Sequence, residues 1–210
     1  MRRYLLLGAT AGLLVVPALA FGRVTTAITV EDGGFSQFGP KVVRQSVGAG
    51  DIHWQWDQNG KTFAAHDVKQ DSNLFSSGPA TNNKPAGFTI VPSAGRFHYY
   101  CTIHGSRHGG MDGTIKVKPA IFKQKARSFG VKWSPGTNDT GNAFDVRYRV
   151  DGRKWKTWKN DTTKPKGKFG ARRKPVRVRA GHTYDVAARS EKKRKTKKHS
   201  RWSPAARVQT

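Results

Sequence analysis

Apolar and polar residues alternate with a period of two in several short stretches of this chain, and turn residues separate them. Stretches 26–30, 41–47, 51–56, 88–91, 96–101 and 113–117 read as strands. Further along, 128–134 places Phe129, Val131 and Trp133 on one face, and 144–150 does the same with Phe144, Val146, Tyr148 and Val150. Asp151-Gly152 predicts a hairpin turn into 154–158, and 174–179, 183–188 and 205–209 complete the series. Short strands at this spacing, with no helical period, predict an all-β protein of sandwich or barrel type.

The first twenty residues break the pattern. Arg2 and Arg3 precede an apolar run that ends in Ala18-Leu19-Ala20, the form of a secretory signal peptide with an A-x-A cleavage site. Read as a membrane anchor instead, the run is short for a span, and no other segment could cross a membrane. The expected location is secreted, cell-surface or periplasmic.

Charge divides the rest of the chain in two. The 210 residues carry 39 Lys+Arg against 13 Asp+Glu, a formal net charge of +26. Residues 21–118 hold 10 basic and 7 acidic residues, whereas 119–210 hold 27 and 6. A domain boundary is therefore expected near Lys118-Pro119, with a near-neutral first domain and a strongly basic second one. The run Lys192-Lys193-Arg194-Lys195-Thr196-Lys197-Lys198 lies between the last two expected strands. Such a field concentrates anions. Base-specific reading of DNA has no support, because no helical reading element is present.

A single cysteine excludes an internal disulfide framework, an iron–sulfur ferredoxin and a four-cysteine zinc site. Intermolecular pairing, a reactive thiol and a metal ligand remain. In 96–101 the period of two puts Phe97, Tyr99 and Cys101 on one face, and His98 and Tyr100 on the other. Cys101 is expected to end its strand where the chain turns into a loop that carries His104, His108 and Met111, while His66 stands on a separate strand. Two His, one Cys and one Met are the donor set of a trigonal copper site with a weak axial thioether. His53, His98, His182 and His199 read as non-ligands, and Trp54 and Trp56 as core.

With these residues in place, 24–118 resembles a plastocyanin-type cupredoxin. The matching elements are Thr29-Val30-Glu31-Asp32, Gly50-Asp51 before a Trp-containing strand, His66-Asp67-Val68, and Tyr99 to His104 followed by Met111-Asp112-Gly113. The resemblance implies an eight-stranded Greek-key β-sandwich holding one type 1 (blue) copper ion. His66, Cys101 and His104 would be its strong ligands and Met111 its axial one. It also implies electron exchange near His104, with Tyr100 on a second exit path. Two departures stand out. Six residues separate His104 from Met111, with His108 among them as a rival axial donor, and Asp67 stands where many relatives carry Asn.

The second half resembles a fibronectin type III domain. Val178 to Tyr184 fits that family's approach to its penultimate strand, with Tyr184 as a tyrosine-corner residue. Trp133 fits its core tryptophan, and Ser200-Arg201-Trp202-Ser203-Pro204 the lead-in to its last strand.

Together these resemblances imply a secreted blue-copper protein that transfers single electrons and is not an enzyme. Its expected partners are a redox protein and, through the basic domain, an anionic polymer such as cell wall, polysaccharide or DNA. The alternatives are copper storage or delivery without a redox role, and a metal-free polyanion-binding adhesive protein. A multicopper oxidase is excluded by the absence of His-x-His pairs, and a Cys101–His104 nucleophile pair lacks an orienting third residue.

Overall fold

A computed structural model describes residues 24–32, 37–194 and 197–210. The expected signal peptide at 1–20, and Lys195 and Thr196 of the basic run, lie outside the described residues. Among the described residues no helix is long and apolar enough to cross a membrane.

The first half holds β1 (Val24–Glu31), β2 (Gln37–Gly39), β3 (Val42–Ser46), β4 (Gly50–Trp56), one helical turn α1 (Asp57–Gly60), β5 (Lys61–His66), β6 (Lys69–Gln70), β7 (Thr81–Asn83), β8 (Phe88–Ile90), β9 (Gly95–Ser106) and β10 (Gly109–Lys118). The second half holds β11 (Ala120–Lys125), β12 (Ser128–Lys132), β13 (Ala143–Val150), β14 (Lys156–Thr162), β15 (Lys166–Phe169), β16 (Thr183–Glu191) and β17 (Ala206–Gln209). The sheets run β2-β1-β4-β8, β3-β10-β9-β6, β11-β12-β15 and β14-β13-β16-β17, and β5 pairs with β7 in a small ribbon.

Alternation explains which faces are buried. In β4, Ile52, Trp54 and Trp56 point inward while Asp51, His53 and Gln55 are half-buried. The Trp54 ring stands edge-on to Tyr99 of the second sheet, with centroids 5.2 Å apart, and Phe38 meets the same tyrosine at 5.0 Å. These contacts lay the first two sheets face to face. In the second half Phe169 of β15 meets Tyr148 of β13 at 5.2 Å and Tyr184 of β16 at 5.7 Å, so the third and fourth sheets also face each other. Each such pair adds about 1 kcal/mol beyond its buried area.

Several expectations require correction. The first half has ten strands and a helical turn where the plastocyanin resemblance implied eight strands, and β1 with β4 and β3 with β10 are parallel pairs. Residues 174–179 form no strand: Lys174 closes a tight turn with Ala171, and 175–179 run on as bend and irregular chain. Four sheets of this size also match the blade count of a four-bladed β-propeller. The strand order does not, since a blade is a four-stranded sheet repeated radially along the chain. Here the sheets of each half draw their strands from interleaved stretches of sequence.

The proposed division at 118/119 falls between β10 and β11, and the two sides touch. Ser93 donates its amide to the Thr140 hydroxyl at 2.8 Å and shares a 2.6 Å contact with the Ser190 hydroxyl, which donates to the Ala94 carbonyl. Arg96 and Arg201 exchange backbone hydrogen bonds at 3.0 and 3.1 Å. All three hydroxyl residues are fully buried, so each needs these partners.

Over the outer face of the fourth sheet Arg147 lies between Trp155 and Trp202, with its guanidinium carbon 4.4 and 4.1 Å from their ring centres. Asp185, buried on β16, accepts Arg149 Nε and Arg207 Nε at 2.8 Å each. The Arg207 hydrogen bond is the main force holding its carboxyl below the usual range, with Arg149 helping and burial opposing. A depressed folded value means stability that is present above the unfolded carboxylate pKa of about 3.9 and lost as pH falls through the folded one. Asp185→Asn should cost about 2 kcal/mol at pH 7 in denaturant unfolding. It should also flatten the stability loss below about pH 4; an unchanged acid limb would show that Asp185 is not a source of it.

Candidate metal centre

His66 closes β5, and Cys101 and His104 both lie within β9. The expectation that Cys101 ends its strand is corrected. β9 continues to Ser106 and returns through Arg107-His108 into β10, so the loop is a β-hairpin. Its ladder is broken. Tyr100 pairs with Asp112 and Gly105 with Gly110, leaving the four residues Cys101 to His104 opposite Met111 alone. The alternation fails at the same place, where Thr102 and Ile103 are exposed in succession. That slip turns His104 to the same side as Cys101, which a strict period of two would forbid.

Two glycines permit the irregularity. A Cβ on Gly105 would stand 2.5 Å from the Met111 carbonyl oxygen, and Gly110 has φ 84°, in the left-handed region. Met111 is thereby held against β9, with its side chain buried.

Cys101 Sγ lies 3.8 Å from His66 Nδ1 and 3.7 Å from His104 Nδ1, and the two nitrogens are 3.1 Å apart. No side of this triangle exceeds the span of two metal–donor bonds of about 2.0–2.3 Å. Cys101 and His66 are fully buried, and His104 is partly open. The far side of His66 is fixed: its Nε2 meets Asp32 Oδ1 at 2.7 Å. Nε2 donates there, so the Nδ1 lone pair points into the triangle. Asp32 is itself held by the amides of Phe63 and Ala64.

The surroundings of Cys101 and His66 favour the charged form of each. Burial pushes the Cys101 thiol up, but His66 and the backbone amides of Asp67, His104 and Ile103 more than reverse it and hold it below the usual range. Burial works against charge on His66, yet hydrogen bonds to Cys101 and Asp32 raise it overall. Burial likewise opposes charge on Asp32, and the His66 contact with the two amides holds its carboxyl low. The three ligating atoms converge within 3.8 Å of one another, so a cation can replace the proton that His66 and Cys101 otherwise share. The His66–Cys101–His104 cluster can hold a metal ion.

Asp67 accepts the Thr102 amide at 2.6 Å and its hydroxyl at 2.9 Å. It clamps the His66 strand to the hairpin using acceptors alone, as an aspartate must.

The other histidines are occupied elsewhere. His98 bridges Asp71 and Asp112, at 2.9 Å each. His53 meets Thr89 and Gln55, His182 meets Asp151, and His199 meets the Ser200 carbonyl. His108, the rival axial donor, is exposed on the turn and outside the cluster. Asp32 stands out in the sequence only as part of a strand-end segment. Its role is invisible there because the contact to His66 spans 34 residues.

The electron-carrier expectation is corrected to metal binding. The donor triangle shows where an ion can sit.

No protein-family profile matches the chain, and no curated protein matches it. Among solved structures, reduced rusticyanin is 22% identical over 45% of this chain and 78% of its own, with a TM-score of 0.33. A two-domain fibronectin type III segment of chicken tenascin is 17% identical over 70% of this chain and 85% of its own, with a TM-score of 0.34. A myokine is 16% identical over 44% of this chain and 90% of its own, with a TM-score of 0.34. Overlaps this weak place the chain in no family, so membership of the cupredoxin and fibronectin type III families, expected from sequence, is not retained.

Asp32→Ala should lower metal affinity by about 10- to 100-fold without loss of secondary structure. Competition titration against a chelator of known affinity measures it, and an unchanged affinity would dismiss Asp32 as the positioning residue.

Proposed function

We propose that this chain is a copper-binding protein that holds one copper ion at His66, Cys101 and His104 for storage or delivery. The observation that carries the reading is the buried triangle of one sulfur and two imidazole nitrogens. Copper is the ion favoured by its chemistry. Thiolate is soft, imidazole suits copper in either oxidation state, and copper(II) tops the divalent affinity order. A structural zinc site closes with four protein donors, and among the described residues no fourth His, Cys, Asp or Glu joins the cluster. Met111, buried on the facing strand, is the proposed weak fourth donor. The partly open His104 leaves an edge of the site through which an ion can be exchanged.

The chain's own contribution is positioning. Asp32 sets the His66 tautomer, Asp67 keeps the two ligand segments together, and the buried surroundings exclude water from Cys101. Purified protein should contain copper at one ion per chain by elemental analysis, and Cys101→Ser should lower copper affinity at least about 100-fold. Copper retained at full stoichiometry and affinity in that variant would remove Cys101 from the site.

A second reading concerns the basic half. A cavity of about 290 Å³ is lined by Arg153, Lys154, Lys156, Arg177 and Arg179, beside the apolar Val150 and Val176. These side chains favour attachment to a polyanion, which would localise the copper domain. Retention on heparin should fall steeply with salt. Retention unaffected by salt, or equal retention after Arg153, Lys154 and Arg177 are all changed to Ala, would exclude this surface.

A further inference from the structure

At the opposite pole of the chemistry, the second half gathers three carboxylates in a region that is otherwise basic. Asp145 on β13, Asp161 near the end of β14 and Glu191 at the end of β16 offer oxygens that all lie within 4.8 Å of one another. The strands bring them together through a distortion. The β13–β14 ladder shifts register between Phe144 and Val146, and the Asp161 amide leaves the ladder to donate to Asp145 Oδ1 at 3.0 Å. Asp145 Oδ2 is taken by Arg189 Nε at 2.8 Å.

Glu191 is different. Its side chain is 3% exposed, and its Oε2 has no hydrogen-bond partner. A buried carboxylate oxygen without a donor costs free energy, and here it faces two more carboxylates. The 140–142 segment passes so close over the Glu191 backbone, with the Asn142 amide on its carbonyl at 2.9 Å, that the strand end has little room to swing outward.

We propose that Asp145, Asp161 and Glu191 form a second cation site, for calcium. Its donors are hard oxygens only, which distinguishes it from the sulfur and imidazole cluster of the first half. Calcium accepts carboxylates in one- or two-oxygen contact with water completing the shell, and tolerates the irregular geometry that three strands impose. Magnesium demands a stricter octahedron. Without a cation, burial first, and then the hydrogen bonds and negative charge that Asp145 and Asp161 direct at Glu191, push its carboxyl up to about 8. A proton is thus the competitor that calcium must displace.

The test uses the full chain in a chelator for calcium, followed by millimolar calcium, with unfolding read by tryptophan fluorescence. The melting temperature should rise by about 5 °C at saturation. Glu191→Gln should remove the response, and Asp161→Asn, on a more exposed side chain, provides a second variant should the first not fold. Cys101→Ser should keep the response in full, which separates this site from the copper proposal. A wild-type melting temperature indifferent to calcium, or a response that survives in the acidic-site variants, overturns the proposal and leaves the cluster as carboxylates sharing a proton.

Discussion

The metal centre depends on a mismatch in one hairpin. Two strands with equal numbers of residues between their pairs would point Cys101 and His104 to opposite faces of the sheet. Four residues against one remove that constraint. The mismatch survives because Gly105 has no Cβ to collide with Met111, and because Gly110 accepts a positive φ. The surrounding sheet is regular and well packed, so the irregular segment has a fixed frame on which to sit. This is how a backbone defect becomes a positioned pair of donors.

Support for the centre comes from acidic residues that are not themselves donors. Asp32, just after β1, and Asp67, just after β5, both act on the His66 strand. One holds the imidazole by its far nitrogen, and the other ties the strand to the hairpin through Thr102. Both carboxylates have polar partners that make their presence near a buried site tolerable. The same logic, unfinished, marks the acidic cluster of the second half. There Asp145 is satisfied by an amide and a guanidinium, but Glu191 is not. The two sites therefore differ in kind: one is a set of soft donors already oriented, the other a set of hard donors with one oxygen left unpaired.

The two halves are separate in composition yet joined by a small buried polar contact. Ser93, Thr140 and Ser190 exchange hydroxyl and amide hydrogen bonds where apolar packing alone would leave the two halves free to slide. A polar junction of this type is directional, because each hydroxyl must meet its partner. It places the basic surface of the second half in a defined relation to the first. It also anchors the acidic cluster, since Ser190 directly precedes Glu191 on β16.

Strand periodicity in the sequence located most of the β-structure, since a half-buried strand must alternate whatever surrounds it. The same periodicity identified Cys101 and the inward face of its strand. Donor chemistry and family resemblance, not periodicity, singled out His66, Cys101, His104 and Met111, because two imidazoles, a thiolate and a thioether are together a copper donor set. Periodicity misread the stretch after Cys101 as a loop, since a bulge breaks the very pattern by which a strand is recognised. Family resemblance suggested strand number and function beyond what the structure carries. The pairing of distant strands, the Asp32–His66 contact across 34 residues, and the meeting of Asp145, Asp161 and Glu191 were not legible at all. Local sequence determines which way a side chain faces along its own strand. Only the folded chain decides which strand lies alongside, and a metal site is made from donors that different strands contribute.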